Sequence, residues 1–371
     1  MRYLFVMYLV LGLGPLSAFA EGARTECLGR FKFTAPEHFE WATYNIDRTR
    51  IDNSGGHTFS EKIGAESEYA DYAYDGDGLI IKVSDVTTRR AFELARGAIF
   101  GDIERAKINL KKKLEIEKSI QNDMRGRHSA EAMADQQARV ERAKEELATA
   151  EVYEHDLGIP DAHILGSETK PFEFFLWRNS RVYYFSMKKP AKNSIERIKD
   201  LIARFEPREL YQVPKGPGVC FPYGFIHDDG KTGFSVKNSL RLASTPNVIM
   251  SMVHASPESS TPTKPTRGLY DTHYEPSYDW RKWNRSGISE KLQFGKRTTL
   301  LEGWRLDPRP DSGEQERAWF AVAHEGGLFR SLMAVHMRTF PQGTDGLKTL
   351  TPPPEEVIPK FQAITRSIRE F

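Results

Sequence analysis

Apolar residues recur along the chain at two periods, and their order predicts sheets that are each closed by a helix. Residues 194–205 place Ile195, Ile198, Leu201, Ile202 and Phe205 at helical spacing, and Pro207 stops the run. Residues 355–371 repeat the pattern with Val357, Ile358, Phe361, Ile364 and Ile368, behind the starting signal Pro352-Pro353-Pro354. Short β-branched and aromatic runs predict strands at 41–51, 79–83, 172–177 and 181–187 ahead of the first helix. Others at 247–254, 289–294, 298–306, 317–323 and 332–338 precede the second. The runs 172–177 and 181–187, joined by Arg178-Asn179-Ser180, read as an aromatic-rich hairpin.

The two halves also begin alike. Cys27 opens the strand-like stretch 27–33 and Cys220 opens another at 220–226, with the seam Val213-Pro214-Lys215-Gly216-Pro217-Gly218 between the halves. This predicts an α+β chain of two similar domains, 21–213 and 214–371, each a mainly antiparallel sheet with a closing helix. One segment breaks the symmetry. From about 89 to 153 the pattern is helical, with a stripe of Ile99, Ile103, Ala106, Leu110, Leu114 and Ile120 and a second of Met133, Val140, Ala143, Leu147 and Ala150. Gly126 followed by Ser129 gives a stop and a new start, so a helical hairpin is inserted in the first domain, either a projecting arm or a clamp against the second.

Residues 1–20 have the form of a cleavable export signal: Arg2, an apolar run from Tyr3 to Leu16, then Ala18-Phe19-Ala20 before Glu21. The run is shorter than the roughly 20 residues that span a bilayer and is broken by Gly12, Gly14 and Pro15, which disfavours a membrane anchor. Export makes an oxidising compartment available to Cys27 and Cys220. If the halves are repeats, these equivalent positions can meet near the axis relating them and form a disulfide; the alternative is two buried free thiols.

Charge narrows the function. The 53 basic and 51 acidic residues of the 371 leave a net +2, and the densest basic run, Lys111-Lys112-Lys113, is followed by Glu115 and Glu117. That is a solvated helix face and no footprint for nucleic acid. Catalytic signatures are missing. Neither Gly233-Phe234-Ser235-Val236-Lys237 nor Gly287-Ile288-Ser289-Glu290-Lys291 closes a nucleophile elbow, and no zinc or phosphate-binding motif occurs. His227-Asp228-Asp229 lacks further ligands nearby, so Asp228-Asp229-Gly230-Lys231 reads as a hairpin turn, and Asp75-Gly76-Asp77-Gly78 as another. No metal, cofactor or catalytic residue is expected.

One segment has the composition of a contact surface. Residues 256–268 are rich in Ser, Thr and Pro and lead into Tyr270, Tyr274, Tyr278, Trp280, Arg281 and Trp283. Tyrosine, tryptophan and arginine bury large areas at modest entropic cost while keeping a polar handle, so these six are the candidate partner-binding residues. The alternative is that the rings pack beneath the loop as core.

Cys27-Leu28-Gly29-Arg30-Phe31, with Pro36 and Trp41 behind it, and Gly218-Val219-Cys220 with Gly224-Phe225-Ile226, resemble the two-domain immunity proteins cognate to type VI secretion lipase effectors of the fourth class, the Tle cognate immunity proteins. The resemblance implies a periplasmic protein of a Gram-negative bacterium that binds a lipase or phospholipase toxin and blocks it, its two domains acting as a claw. It supplies no short contact motif. A monomer in a one-to-one complex suffices, since two domains already provide two jaws. The competing class is a periplasmic glycan- or lipid-binding envelope module using the rings of 270–283. A third, an exported hydrolase, would need catalytic residues converging from distant positions.

Overall fold

The computed structural model of the chain describes residues 22–44, 46, 69–74, 77–190, 192–257, 280–326 and 329–371. The export signal, most of the strand expected at 41–51, the Asp75-Gly76 turn and most of the 256–268 loop lie outside the described residues.

The first half contributes β4 (Tyr69–Tyr74), β5 (Asp77–Val83), β6 (Tyr153–Glu154), β7 (Ala162–Gly166), β8 (Glu173–Arg178) and β9 (Arg181–Met187) to an antiparallel sheet. The second half contributes β13 (Phe234–Leu242), β14 (Val248–Ala255), β15 (Trp283–Phe294), β16 (Arg297–Pro308), β17 (Ala318–Glu325) and β18 (Leu332–Thr339). The two sets have one topology. Outward from the middle, the order is β4-β5-β9-β8-β7-β6 on one side and β13-β14-β18-β17-β16-β15 on the other. Expected as two sheets, they join edge to edge where Phe234–Lys237 of β13 pair with Tyr69–Tyr72 of β4, giving one sheet of 13 strands among the described residues, with β3 (Phe39–Trp41) pairing Leu240–Leu242 further along β13. The strand expected at 41–51 thus stops at Trp41 on its described side.

Strand alternation divides the faces. Tyr183, Phe185 and Met187 of β9 join Trp319, Ala321 and Ala323 of β17 in the main core, while Val182 and Tyr184 face the other way. Over the core face lie α3 (Ser194–Arg204) and α4 (Pro354–Arg366), which bury Ile198 and Leu201 in the first case and Val357, Phe361 and Ile364 in the second. The last helix is shorter than its apolar period. After Arg366 the chain turns out at Ser367, whose hydroxyl accepts from Thr34 N–H at 2.7 Å, and Arg369–Glu370 leave as β19.

The cysteine-led stretches are hairpins instead of single strands. β1 (Arg24–Leu28) turns through Gly29-Arg30 into β2 (Phe31–Ala35), and β11 (Gly218–Phe221) turns through Pro222-Tyr223 into β12 (Gly224–His227). Gly29 has φ +58, and a Cβ there would meet His254 Nδ1 at 2.5 Å, so the motif needs glycine at that turn. Each hairpin takes its third strand from the opposite half. β10 (Phe205–Pro207), directly after α3, pairs with β12, and β19, after α4, pairs with β2. This exchange, like the sheet order, is what two tandem copies of one unit produce.

The inserted helices are α1 (Arg89–Met124) and α2 (Ala130–Ala148), with Thr88 and Ser129 as N-caps whose hydroxyls accept from Ala91 and Ala132 N–H. The first turns of α1 cover the outer face of β7, β8 and β9 through Phe92 and Ile99. Beyond them it is a projecting arm. Lys113 pairs with Glu146 and Gln136 donates to Glu117, but Ile108 and Ile116 are 49% and 59% exposed.

Candidate partner-binding surface

The geometry of the candidate surface starts at the joint between the halves. Cys27 and Cys220 form a disulfide with Cα atoms 5.8 Å apart, and Gly29 and Cys220 exchange both backbone hydrogen bonds at 2.7 Å. Beneath them Arg208 and Glu26 form an ion pair at 2.5 Å with side chains 1% and 0% exposed. Arg208 also donates to the carbonyls of Phe221, Gly224 and Cys27, and Glu26 accepts from the N–H groups of Cys27 and Tyr211 at 2.9 and 2.7 Å. All the residues involved come from the two cysteine hairpins or the segment following β10.

A second latch closes the solvent side. Arg30, at the β1–β2 turn, donates to Asp228 at 2.6 Å and to the carbonyls of Thr232 and Gly230. Asp228 sits where a hairpin turn was expected, but the flanking strands β12 and β13 belong to different sheets and do not pair, so 228–233 is a connection between sheets: Asp228 Oδ1 accepts from Gly230 N–H, Asp229 accepts from Lys231 N–H, and Asp228 Oδ2 is spent on Arg30 and the Tyr72 hydroxyl. The backbone N–H of Lys231 also holds the Asp229 carboxyl below its usual range. Tyr72, Asp228, Asp229 and Thr232 line an open cleft of about 590 Å³ with Asp200, Arg204 and His227. Burial raises the Tyr72 hydroxyl above its ordinary value. Burial acts to lower Arg204, and its hydrogen bonds to Tyr72 and Asp200 outweigh this and raise it. The latch was hidden in sequence because Arg30 and Asp228 are 198 residues apart.

His254 lies between the latch and the core. It is buried, lies tilted against Phe31 and edge-on to Phe234, and accepts from Arg30 N–H at 3.0 Å, which makes Nδ1 the unprotonated nitrogen. Burial pushes it down to about 3, with Arg297 and Arg30 adding to the effect. The unfolded chain takes up a proton below its ordinary value near 6.5 and the folded chain does not. Stability is therefore fully present above about pH 6.5 and falls between there and about pH 3, with a slope of about 1.4 kcal/mol per unit from this residue. Urea melts of the protein and of His254→Gln from pH 7 to 4 should diverge by about one proton; parallel profiles would show that His254 titrates normally in the fold.

Tyr270, Tyr274 and Tyr278 lie outside the described residues, so the structure does not place them. Trp280 and Arg281 begin a 3-10 turn, Trp280–Lys282, and Trp283 starts β15 with its side chain buried and its carbonyl accepting from Arg309 Nε at 3.1 Å. Trp283 borders a cleft of about 540 Å³ shared with Lys282, Glu316, Arg317, Thr339 and Leu350. The segment has a topological twin: residues 256–282 connect β14 to β15 as residues 84–152 connect β5 to β6. Each repeat therefore carries its long insertion at the same place, a helical arm in one and the aromatic segment in the other.

Chemistry is sparse around these features. Among the described residues no three His, Cys, Asp or Glu side chains group as metal ligands. His163 contacts Glu154 and Glu93, and His227 contacts Glu206, but neither histidine hydrogen-bonds a serine, threonine or cysteine hydroxyl or thiol among the described residues.

No family model and no curated protein matches the chain. Solved structures do. The immunity protein TplEi of the T6SS from Pseudomonas aeruginosa complexed with "L" peptide is 13% identical, with 94% of this chain and 98% of that chain covered at a TM-score of 0.48. The Tle4-Tli4 complex is 12% identical, covering 94% and 97% at 0.49. The apo structure of TplEi is 13% identical, covering 94% and 97% at 0.47. These likenesses cover 94% of this chain.

Proposed function

We propose that this chain is a periplasmic immunity protein that binds a cognate type VI secretion lipase or phospholipase effector and holds it where substrate cannot reach the active site. One observation carries the reading. Five of the residues on which the sequence resemblance rests, Cys27, Gly29, Arg30, Cys220 and Gly224, take part in joining the two repeats, through the disulfide, the Gly29–Cys220 bridge, the Arg30–Asp228 latch and the Gly224 carbonyl on Arg208. The resemblance therefore lies in the joint that ties the two halves together. Such a frame suits a stoichiometric binder with two jaws, split near residues 213 and 214. It works by occlusion, with affinity from buried aromatic and arginine groups in preference to net charge.

The reading predicts compartment dependence. Co-expression with an exported lipase-like effector encoded beside it should preserve growth, and a version lacking residues 1–20 should fail to protect while still binding the effector in vitro. Equal protection by the leaderless protein would contradict the periplasmic assignment.

A further inference from the structure

We infer that β15 is a docking edge, at which an extended segment of a protein partner adds as a further strand through backbone hydrogen bonds. This rests on the reading that the partner is a protein and says where part of it is held.

Among the described residues the sheet has two outer edges, β6 and β15, which are equivalent strands of the two repeats. The first is blunted. β6 is only Tyr153–Glu154, and Glu154 is engaged by Arg96 and His163. β15 is twelve residues long and pairs with β16 without a register break from Trp283↔Pro308 to Phe294↔Arg297. Natural sheets shorten, bend or cover such an edge, because a row of free N–H and C=O groups is a template for another strand.

The ladder fixes which groups are free. Pro308 has no N–H and sits opposite Trp283, while Arg309 N–H donates to the Lys282 carbonyl at 2.8 Å. Even-numbered residues of β15 therefore bond to β16, and odd-numbered ones point their backbone groups outward. Arg285, Gly287, Ser289, Lys291 and Gln293 are the exposed odd positions, and the outward N–H groups of the last four meet no acceptor among the described residues. One carbonyl, that of Lys291, receives a long contact of 3.4 Å from Gln362 on α4. Gly287 leaves the edge unobstructed by a side chain beside Trp304, the residue opposite it.

The side chains select the occupant. Lys291 has no ion-pair partner among the described residues, and Arg285, on the same face, lies over the Trp304 ring at 3.4 Å. A second copy paired antiparallel about Ser289 would set Lys291 opposite Gly287 and diagonal to Arg285, placing like charges together across the strands. A segment that sets an acidic side chain opposite Lys291, away from Glu302, which faces Ser289 from β16, has the complementary charge. The inferred occupant is such a segment of the effector.

The test uses the full chain with the lipase-like effector and two variants. Ser289→Pro removes an outward N–H and no bond to β16, whereas Ser289→Ala keeps the backbone intact. Ser289→Pro should weaken the complex by about tenfold or more, with Ser289→Ala within about twofold. In the unmodified protein, amide exchange at Gly287, Ser289, Lys291 and Gln293 should slow in the complex, a readout that does not depend on how the proline variant folds. A complex of undiminished affinity for Ser289→Pro, with those amides still exchanging freely, overturns the inference and leaves the immunity reading standing. A homodimer that Ser289→Pro dissociates overturns the stated occupant. If no effector binds, that failure belongs to the immunity reading, and a synthetic decapeptide alternating valine and glutamate judges the edge: slowed exchange at the four amides supports it, and unchanged exchange overturns it.

Discussion

Replacing Arg208 by alanine, or Glu26 by glutamine, is expected to destabilise the fold by about 3–5 kcal/mol, the largest effect of any single substitution considered. Both side chains are almost fully buried, and each change leaves its partner charged or donor-rich in a site that water does not reach. The loss exceeds one ion pair because Arg208 also serves the carbonyls of Phe221, Gly224 and Cys27 from both hairpins. Removing it takes a charged donor from three buried carbonyls at once. The double replacement Glu26→Gln with Arg208→Met should cost less than the sum of the single changes, since no uncompensated charge remains. Urea midpoints at pH 7 with the disulfide intact measure this; a loss below about 1 kcal/mol for either single variant would show that the pair does not hold the joint.

Breaking the disulfide is the second large effect. Cys27 and Cys220 are 193 residues apart, and closing so long a loop stabilises by about 5 kcal/mol in the chain-entropy model. Cys27→Ser with Cys220→Ser should lower the unfolding free energy by that order. The exchanged strands β10 and β19 and the Arg30–Asp228 latch still tie the halves, so the reduced protein should remain folded in mild conditions. Equal stability of oxidised and reduced protein would mean that the unfolded chain already holds these segments together.

Local pattern carried the strands 172–177 and 181–187, the helix at 194–205 and the helical hairpin, because aromatic alternation, a terminating proline and the Gly126–Ser129 punctuation act within a few residues. The Cys27–Cys220 pairing was legible from equivalence, since both cysteines open matching segments. What stayed hidden is long-range. Nothing near Val236 announces that it pairs with Ala70 of the other half, and nothing near Glu26 announces Arg208. β15 was expected to begin at 289 because Asn284, Arg285, Ser286 and Gly287 break the apolar alternation; their pairing with residues 304–307 of β16 extends the strand regardless. Of the six candidate contact residues, composition identified a class of side chain, and the structure places Trp283 in the wall of a cleft.

The central claim is that the chain inhibits an enzyme by binding it, one molecule to one. Titrating the purified protein into a fixed, nanomolar amount of the cognate lipase-like effector, with ester hydrolysis as the readout, tests it most directly. The account predicts a linear fall in activity that reaches its floor at one equivalent, with a one-to-one complex in light scattering. Activity unchanged past several equivalents, with the two proteins eluting separately, would contradict it.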